Sequence, residues 1–412
     1  MKSGLRLFTA LGPGDIVGAR KRQIAGQAIN ETSIAFSEQL FAYCRACQIE
    51  TLAISSHVKV DRLEDETIAM ENRPKPLRNR GGLLFHLSQI LYGAYLAFRA
   101  ARFGADVAII DSGSTHYFVL MLFRALRIPV AVNLHNVLWP AGFPPAGPVP
   151  RIIRALNRLF FRFAAAGAIG VSPECERQVV SESRYRTPFF QYRCQFRPDG
   201  FRQALPYEAG PFRIVFVGRA ERNKGVLDIA QMAAKLEAVA PVKVVFEICG
   251  DGPALPELRT IIEQERLGDL INVHGRLERD ALLGVYAASH AAIVPTRSDF
   301  TEGMPQVCAE AVLSGLPVIT SQVANAFDVI GPATIRAETD DVGSYVKAIV
   351  ALIESAALRS QIWAECQSLS LQFLDRSQSY PAAVDRLLGA VFGSGPISGY
   401  AMLFGETETN RQ

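Results

Sequence analysis

The chain has 412 residues, of which 49% are apolar and 20% are charged. This length and composition exclude wholesale disorder and predict two folded domains with a cleft between them. The 43 basic and 40 acidic residues leave a net charge of only +3, which argues against a nucleic-acid-binding protein that neutralises a phosphate backbone. The seven cysteines are odd in number and irregularly spaced, which favours a reducing, cytoplasmic compartment over a secreted disulfide framework.

Short apolar runs alternate with longer helical patterns through the first half of the chain. The runs LRLFTAL, IETLAIS, DVAIID, PVAVNLH and AAGAIGVS predict strands, and their alternation with helices predicts a parallel sheet. A first domain is therefore predicted over residues 1–195. Its opening stretch is interpreted as a strand and not as a signal peptide. The longest apolar window, Gly81 to Gly104, is interpreted as a helix buried in this domain and not as a bilayer span.

Three glycines follow the first predicted strand: Gly12, Gly14 and Gly18. A dinucleotide-binding turn needs G-x-G-x-x-G at the start of a helix and an acid at the end of the next strand, and neither condition fits well. We expect the first strong helix only from about Glu31, with the glycines in a loop. A nicotinamide cofactor therefore has little support, while Gly14 is expected to face the cleft.

Four arginines recur at helical spacing in PVPRIIRALNRLFFRFAAAG: Arg151, Arg154, Arg158 and Arg162. Apolar residues fill much of the rest of this helix, and a Pro-rich loop with two large aromatic residues precedes it. Two interpretations are open. Residues 150–163 form a basic amphipathic helix on an anionic membrane, or they form a core helix with a solvated arginine face.

A linker is predicted at residues 196–210, which are punctuated by Pro and Gly. A second series of strands follows, FRIVFVG, VKVVFEICG, INVHG, HAAIVPT and LPVITS, and predicts a second domain over 211–374. A helix over 375–393 is expected to return to the first domain. The tail, 394–412, shows no sustained periodicity and is expected to be disordered.

Two cations lie where the strand FVG leads into the next helix: Arg219 and Lys224. Arginine offers a bidentate fork to phosphate oxygens and lysine a mobile point charge. Open α/β sheets bind ligands at the carboxyl ends of their strands, so this pair predicts a diphosphate site. The following strand ends in GDGP, which is either a close backbone approach to a ligand or a tight turn with nothing bound.

The segment TRSDFTEGMPQVCAEAVLSGLPVIT holds two glutamates, Glu302 and Glu310. Pro305 suits the first position of a helix, so this helix is expected to direct its N-terminus and the amides of Gly303 and Met304 at an anion in the cleft. The two carboxylates are too far apart to act as one pair. They can reach different parts of one elongated ligand, and a nucleotide sugar has hydroxyls at both ends and a diphosphate in the middle.

The order of these motifs resembles that of the retaining glycosyltransferases of family 4, which have the GT-B fold. FVGR…NKG, ICGDGP, VHGRL, YAASHAAIVPT and EGMPQVCAEAVLSGLPVIT follow one another as in that family, while the first half of the chain matches more loosely. The resemblance implies an α/β architecture of two Rossmann-like, doubly wound domains that face each other across a cleft.

The resemblance also implies roles for residues on the phosphate and sugar side of the donor. Arg219 and Lys224 would hold the donor pyrophosphate. Glu302, with the amides of Gly303 and Met304, would serve the donor sugar and phosphates. These groups act by electrostatic preorganisation as negative charge develops on the departing diphosphate.

Four further residues match positions at the two ends of the donor. Glu310 would bind the ribose, and Gly275 and Arg276 match the place where such enzymes frame the base. His135 matches a histidine that contacts the donor sugar, although a lone histidine is otherwise more often a satisfied core residue. The family's usual Gly-Gly before the first long helix is replaced by AINETSIAF, which leaves open which residues between Gly12 and Thr32 line the donor site.

By this resemblance the protein transfers a sugar from a UDP- or GDP-linked donor to a hydroxyl, with retention at the anomeric carbon. No D-x-D motif occurs, and neither a metal nor a cofactor is expected. The acceptor would be a lipid-linked molecule or growing glycan of bacterial surface polysaccharide synthesis, used at the cytoplasmic face of the inner membrane. The alternatives are an inactive GT-B module that binds nucleotide sugar or acts as a scaffold, and an epimerase or phosphorylase on the same fold.

Overall fold

The computed structural model describes residues 4–27, 31–77 and 81–393, and the first of its two sheets has eight strands. These are β1 (Arg6–Leu11), β2 (Glu50–Ser55), β3 (Asp61–Asp65), β4 (Ile68–Asn72), β5 (Val107–Asp111), β6 (Val130–Leu134), β7 (Ala165–Gly170) and β8 (Phe189–Gln191). Their order is β3-β4-β2-β1-β5-β6-β7-β8. All neighbours are parallel except β3 and β4, which form an antiparallel hairpin at one edge.

The helices of the first domain connect these strands and cover the sheet. They are α1 (Ile16–Ile24), α2 (Phe36–Ala46), α3 (Gly82–Phe103), α4 (Met121–Ala125), α5 (Pro148–Phe163) and α6 (Pro173–Ser183). Every residue of the central strands β5 and β6 is buried. Because a parallel sheet is covered on both faces, such strands are continuous apolar runs and do not alternate.

The second sheet is parallel throughout and has six strands. These are β9 (Phe212–Val217), β10 (Val244–Cys249), β11 (Ile271–Gly275), β12 (Ala291–Val294), β13 (Val318–Thr320) and β14 (Thr334–Arg336), in the order β11-β10-β9-β12-β13-β14. The remaining helices are α7 (Val226–Val239), α8 (Leu255–Gln264), α9 (Arg279–Ala287), α10 (Gln306–Leu313), α11 (Phe327–Ile330), α12 (Val342–Glu354), α13 (Ala356–Ser370) and α14 (Tyr380–Phe392). Short 3-10 turns lie at Tyr117–Leu120, Arg222–Lys224, Gln322–Ala324, Gly331–Ala333, Leu371–Phe373 and Arg376–Gln378.

The predicted class, two α/β domains with parallel sheets, is confirmed, and each apolar run singled out in the sequence is a strand. The strands that the sequence analysis missed are β3, β4, β8 and β14. Each is at or next to a sheet edge, where a strand is short or half-exposed. Edge strands therefore lack the long apolar run that reveals a central strand.

The first helix begins earlier than expected: Gly12 and Gly14 lie in the loop after β1, but Gly18 lies in a helix, so the prediction of a loop is wrong for Gly18. α1 starts at Ile16, two residues after Gly14. The Asp15 carboxylate accepts a hydrogen bond from the Gly18 amide at 2.8 Å and another from Asn72 Nδ2 at 2.7 Å. Only the first two residues of α1 are buried, so its start depends on an N-cap and not on apolar periodicity.

The apolar window over α3 is not a fully buried helix, and that interpretation is wrong for one of its faces. The inner face carries polar and small residues such as Ser88, Gln89 and Gly93, whereas Leu83 on the outer face is 83% exposed and Phe98 is 60% exposed. Among the described helices, none is both long enough and apolar enough to cross a membrane.

The last helix, α14, packs against the first domain. Tyr43 of α2 donates a hydrogen bond to Asp385 of α14 at 3.0 Å, and Arg386 donates to the carbonyl of Gln191 at 3.0 Å. The chain therefore crosses between the domains twice, once over residues 192–211 and again between α13 and α14. The tail predicted over residues 394–412 lies outside the described residues.

Replacement of Gly250 by alanine should destabilise the second domain. Gly250 has φ +144°, and a Cβ there would collide with the carbonyl oxygen of Gly218 at the neighbouring strand end. We expect the free energy of unfolding to fall by about 3 kcal/mol or more, measured by chemical denaturation. The matched control is Gly284→Ala in α9, where nothing lies within 4 Å of an added Cβ. It should be neutral or stabilise by up to about 1 kcal/mol, and equal effects of the two changes would contradict the packing at Gly250.

Candidate functional site

The carboxyl ends of the two sheets face each other across a cleft with a volume of about 560 Å³. Its walls come from the ends of β1, β5, β9 and β12 and from the loops that follow them, together with the start of α10. This is where open α/β sheets bind ligands. Residues predicted from the sequence that line the cleft are Gly14, His135, Arg219, Lys224, Glu302, Met304 and Glu310.

His135 lies just after β6 and is held by a buried polar network. Its Nε2 is 3.0 Å from Asp111 Oδ2, at the end of the adjacent strand β5, and its Nδ1 is 3.2 Å from the Tyr192 hydroxyl. Asn133 joins them, because its Nδ2 donates to Asp111 Oδ1 at 2.8 Å and its Oδ1 accepts from Tyr192 at 2.9 Å. The ring of Phe36 packs on the imidazole, with centroids 4.8 Å apart. The imidazole is thus fixed in orientation at the cleft edge.

The His135 Nε2 atom lies 3.0 Å from both Asp111 Oδ2 and Asn133 Nδ2, and these two contacts set the orientation of the ring. Asp111 itself is only 5% exposed, while the His135 side chain is 26% exposed. Asp111 was not predicted from the sequence, although a signal was available. The predicted strand DVAIID ends in Asp111, and the next predicted strand is followed by His135. Neighbouring parallel strands place such positions side by side.

Lys224 and Glu302 form a direct ion pair between the loop after β9 and the loop before α10. Both side chains are mostly buried, and the Lys224 ammonium lies 4.3 Å from the centre of the Phe300 ring. Burial, helped by the nearby Arg219, lowers the pKa of Lys224 to about 8. Arg219 is different, because its side chain is 64% exposed and bonds only Glu221, at 2.7 Å, among the described residues. The Arg219 side chain can therefore turn toward a ligand at a small cost in free energy.

Glu310 lies inside α10 with its carboxylate at the bottom of the cleft. It accepts hydrogen bonds from the hydroxyls of Thr32, in the first domain, and Tyr286, in the second, the latter at 2.6 Å. Burial raises the pKa of Glu310, and the two hydroxyl donors oppose that rise. Thr32 and Tyr286 were not predicted from the sequence, since a buried hydroxyl has no spacing signature of its own.

The loop before α10 is packed against the first domain at Gly303. A Cβ on Gly303 would collide with the backbone carbonyl of His135 and with Val171. The amide of Val137 donates to the Glu302 carbonyl at 3.3 Å, and Ser33 donates to the Gln306 side chain at 3.0 Å. The glycine is therefore required by a close approach of two backbones across the cleft.

Pro305 is not the first residue of α10, so that prediction is wrong by one position. Pro305 has φ −60° and ψ 134°, outside the helical region, and serves as the N-cap of a helix that begins at Gln306. The extended ψ lets the chain leave the contact with the first domain before the helix starts. The N-terminus still points at the cleft, which Met304, Pro305, Gln306 and Val307 all line.

Gly275 and Arg276 lie at the end of β11, and neither lines the 560 Å³ cleft. The glycines of GDGP serve backbone packing, because added Cβ atoms on Gly250 and Gly252 would collide with the backbone of Gly218 and Ala220. The Asp251 carbonyl also accepts from the Ala220 amide at 3.0 Å. The two glycines are therefore required by the packing of this turn against the neighbouring strand end.

The arginine face of α5 is only partly solvated, because Arg151 is exposed whereas Arg154 and Arg158 turn toward the protein. The interpretation as a core helix with a solvated arginine face is therefore wrong for Arg154 and Arg158. Arg154 and Arg158 each donate to the buried carboxylate of Glu182 in α6, at 2.9 Å and 3.0 Å. Burial alone would raise the pKa of Glu182, but the two guanidinium groups lower it. Phe160 and Phe161 of α5 are buried, but other apolar residues of this helix face outward, with Ile152 60% exposed and Phe163 58% exposed.

The two-domain arrangement is the GT-B fold, as comparison with solved structures shows. Sucrose-phosphate synthase from Thermosynechococcus elongatus superposes with a TM-score of 0.68 over 94% of this chain and 99% of that one, at 15% identity. Anabaena Alr3699/HepE in complex with UDP superposes with a TM-score of 0.61 over 94% and 99%, at 14% identity. At such identities the likeness concerns the fold.

Residues 199–365 match the family model described as "Glycosyl transferases group 1". The chain is also 28% identical over 159 residues to the phosphatidylinositol N-acetylglucosaminyltransferase gpi3 subunit of Schizosaccharomyces pombe, which covers 38% of this chain and 33% of that protein. The chain spans about half or less of the length of the curated relatives it matches. Together these findings support a group 1 glycosyltransferase.

The environment of Lys224 can be tested by its titration. NMR with ¹³C-labelled lysine should show two resonances that titrate with a pKa near 8, because burial lowers the pKa of both Lys224 and Lys75 to about 8. The Lys224→Arg variant should lose one of these two resonances, which assigns it to Lys224. Glu302→Gln should lower the pKa of Lys224 further, because it removes the carboxylate that favours the charged ammonium. A Lys224 resonance that titrates near the ordinary value for lysine, or does not respond to Glu302→Gln, would contradict the buried ion pair.

Proposed function

We propose that the protein is a retaining glycosyltransferase of family 4 that moves a sugar from a nucleoside diphosphate to a hydroxyl group of an acceptor. The observation that carries this proposal is the convergence of Arg219, Lys224, Glu302, Glu310 and His135 on one cleft. Its volume of about 560 Å³ lies in the usual range for small-molecule sites. The match to group 1 glycosyltransferases and the UDP bound by one structural neighbour support the same proposal.

In this proposal the donor lies along the second domain, with its diphosphate at the start of α10. Arg219 and Lys224 hold the phosphate oxygens, and the first amides of the helix add partial positive charge. Glu310 accepts from the ribose hydroxyls in place of Thr32, and the base lies toward Gly275 and Arg276. We propose a donor linked to either UDP or GDP. Lys224 exchanges its contact with Glu302 for the diphosphate, which frees that carboxylate for a sugar hydroxyl.

The chemical barrier is departure of the diphosphate as its negative charge increases. Once Arg219 has turned toward the bound diphosphate and Lys224 has exchanged Glu302 for it, both cations are in place before the bond breaks, so they stabilise this charge without further reorganisation during the reaction. His135, oriented by Asp111, donates to or accepts from a donor-sugar hydroxyl at the edge of the first domain. The acceptor hydroxyl attacks on the face that the diphosphate leaves, which gives retention.

We also propose that transfer needs no metal, with the cations of the chain neutralising the diphosphate. In the described part of the chain, no group of three His, Cys, Asp or Glu side chains is placed to hold a metal ion. The proposal predicts unchanged turnover in EDTA, and the anomeric configuration of the product should equal that of the donor by NMR. Loss of turnover in EDTA that Mg²⁺ restores would overturn the first point.

Nucleotide binding provides the direct test. Thermal shift and calorimetry with UDP, GDP, ADP and NAD should show one nucleoside diphosphate raising Tm. Arg219→Ala and Glu310→Gln should each weaken its binding roughly ten- to a hundredfold, because a charge-assisted hydrogen bond contributes about 1.5–3 kcal/mol. The matched control is Arg222→Ala, since Arg222 is exposed on the same loop and pairs with Glu257; it should bind like the wild type.

Other outcomes separate the alternatives. No shift with any diphosphate, or a shift with NAD alone, would overturn the glycosyltransferase proposal. Binding of a diphosphate without transfer to any acceptor would indicate an inactive nucleotide-sugar-binding or scaffold protein. Phosphate-dependent turnover would indicate a phosphorylase, and interconversion of the free nucleotide sugar would indicate an epimerase.

We further propose that the acceptor is lipid-linked and that the first domain lies on the cytoplasmic face of the inner membrane during surface polysaccharide synthesis. Exposed apolar side chains from three helices form what we name the apolar face: Leu83, Leu84, Phe85, Leu87, Ile90, Leu91 and Phe98 of α3, Met121 and Leu122 of α4 with the adjacent Leu126, and Val149, Ile152, Leu156, Leu159 and Phe163 of α5. The 3-10 turn Tyr117–Leu120 packs against both α3 and α5 and joins them into one surface. A surface of this kind is rare on a monomer and typical of an interaction site.

The charges around the apolar face favour an anionic membrane. Helices α3, α4 and α5 contain no aspartate or glutamate, while Arg124, Arg127 and Arg151 are exposed at its borders. Apolar side chains that enter the headgroup region and arginines that meet anionic lipids are the two features of interfacial helices. The lipid named in the phosphatidylinositol N-acetylglucosaminyltransferase relative is consistent with such an acceptor.

Flotation with lipid vesicles tests this surface. The protein should float with vesicles of phosphatidylcholine and phosphatidylglycerol, and the double variant Ile152→Glu, Phe163→Glu should lose at least tenfold in partitioning, since each side chain contributes about 1.5–3 kcal/mol when buried. The matched control is Val239→Glu in the second domain, where Val239 is 58% exposed. It should float like the wild type. Absence of the wild-type protein from these vesicles would count against membrane association.

A further inference from the structure

Three cationisable side chains meet outside the 560 Å³ cleft, on the loops at the carboxyl edge of the first sheet. Lys75 follows β4, His86 lies in the first turns of α3, and His116 follows β5. The Lys75 ammonium donates to Gln89 Oε1 at 3.0 Å and to the Gly113 carbonyl at 2.6 Å. His86 Nδ1 lies 3.0 Å from His116 Nε2, and the two rings stack with centroids 5.2 Å apart. We name this group the Lys75 cluster.

Within the described part of the chain, the Lys75 cluster has no bonded carboxylate. Among the described contacts, none of its three side chains bonds an aspartate or glutamate. The acids nearest along the chain are already engaged: Glu71 pairs with Arg99 at 2.8 Å, and Asp111 bonds His135 at 3.0 Å. The cluster is therefore a partly buried group of cations and potential cations that faces only neutral acceptors.

The protonation equilibria agree with this geometry. Burial lowers the pKa of Lys75 to about 8. Burial, together with repulsion from His86 and Lys75, lowers the pKa of His116 to about 4. An anion placed between these groups would reverse the effect, because an opposite charge within a few ångströms favours the charged form.

The position of the Lys75 cluster connects the cleft with the apolar face. Gly113, which accepts from Lys75, is two residues beyond Asp111, which lines the cleft. On the other side, Phe85 precedes His86 in α3, is 45% exposed and stacks edge-on with the His86 ring. Leu83 and Leu87, on the same turns of α3, are 83% and 43% exposed. A ligand at the cluster would have one end near the cleft and the other on an apolar surface.

We propose that Lys75, His86 and His116 bind the phosphate group of the acceptor, and that this phosphate is carried by a membrane lipid. This inference rests on the proposed function and adds the site and the chemistry by which the acceptor is recognised. The lysine supplies a point charge. When one of the two imidazoles is protonated, each ring can donate one hydrogen bond to a phosphate oxygen while the contact between His86 and His116 is kept. A lipid chain attached to that phosphate would continue over Leu83, Phe85 and Leu87 into the apolar face.

Histidine NMR gives a local readout of this site. In the full-length protein, with His86→Gln and His116→Gln used for assignment, inorganic phosphate should shift the His86 and His116 resonances and raise the pKa of His116. In Lys75→Met the affinity for phosphate should fall roughly tenfold or more, as expected for loss of a charge-assisted hydrogen bond. The control Lys59→Met removes an exposed lysine of the same domain and should leave phosphate binding unchanged.

A second arm distinguishes the two sources of phosphate. Binding to vesicles of phosphatidylcholine with phosphatidic acid should weaken several-fold in Lys75→Met, while the shift in Tm caused by the nucleoside diphosphate should not change. If Lys75→Met weakens binding of inorganic phosphate but not of vesicles, the source is a soluble phosphorylated acceptor and the lipid assignment is wrong. If neither changes in the folded variant, the cluster is a packing feature and the inference is overturned. A wild-type protein that binds no nucleoside diphosphate would instead overturn the proposed function.

Discussion

The arrangement of the cleft depends on one contact, the packing of the Gly303 backbone against the carbonyl of His135. No side chain fits between these two segments, so the loop of the second domain lies directly on the strand end of the first. The contact places Glu302 and its partner Lys224 beside the network of His135 and Asp111. Residues that are far apart in sequence thereby share one cavity. The hydrogen bonds from Thr32 to Glu310 and from Ser33 to Gln306 hold the same two elements together from the other side.

Electrostatics differ between the two halves of the cleft. In the second domain the cations of the cleft form ion pairs with carboxylates: Lys224 pairs with Glu302, and Arg219 pairs with Glu221. In the proposed function, an incoming diphosphate competes with these carboxylates for Lys224 and Arg219. In the first domain, Lys75 and His116 face no carboxylate among their described contacts. An anion there would compete only with the neutral partners of Lys75, Gln89 and the Gly113 carbonyl, among these contacts.

The two faces of α5 show how an amphipathic pattern can be satisfied in an unexpected way. Spacing alone predicted that its arginines lie on one side. In the structure this side faces Glu182, and Arg154 also lies over the Trp139 ring at 4.1 Å. Because one buried carboxylate binds Arg154 and Arg158, apolar residues such as Ile152 are left on the surface. Helix α3 also buries two polar residues, Ser88 and Gln89, while Leu83 and Phe98 are exposed.

Much of the fold and part of the site follow from the sequence by itself. Long buried strands, the order of the two parallel domains and the cations after β9 have local signatures, because a run of apolar residues or a charge at a strand end requires no knowledge of distant contacts. Only the tertiary structure decided which partners these residues have. Asp111 behind His135, Thr32 on Glu310, Glu182 under the arginines and the outward direction of α3 and α5 all result from packing between distant segments. Such contacts have no periodic pattern in the sequence that could predict them. Each depends on the position of a second element, which the local sequence pattern does not specify.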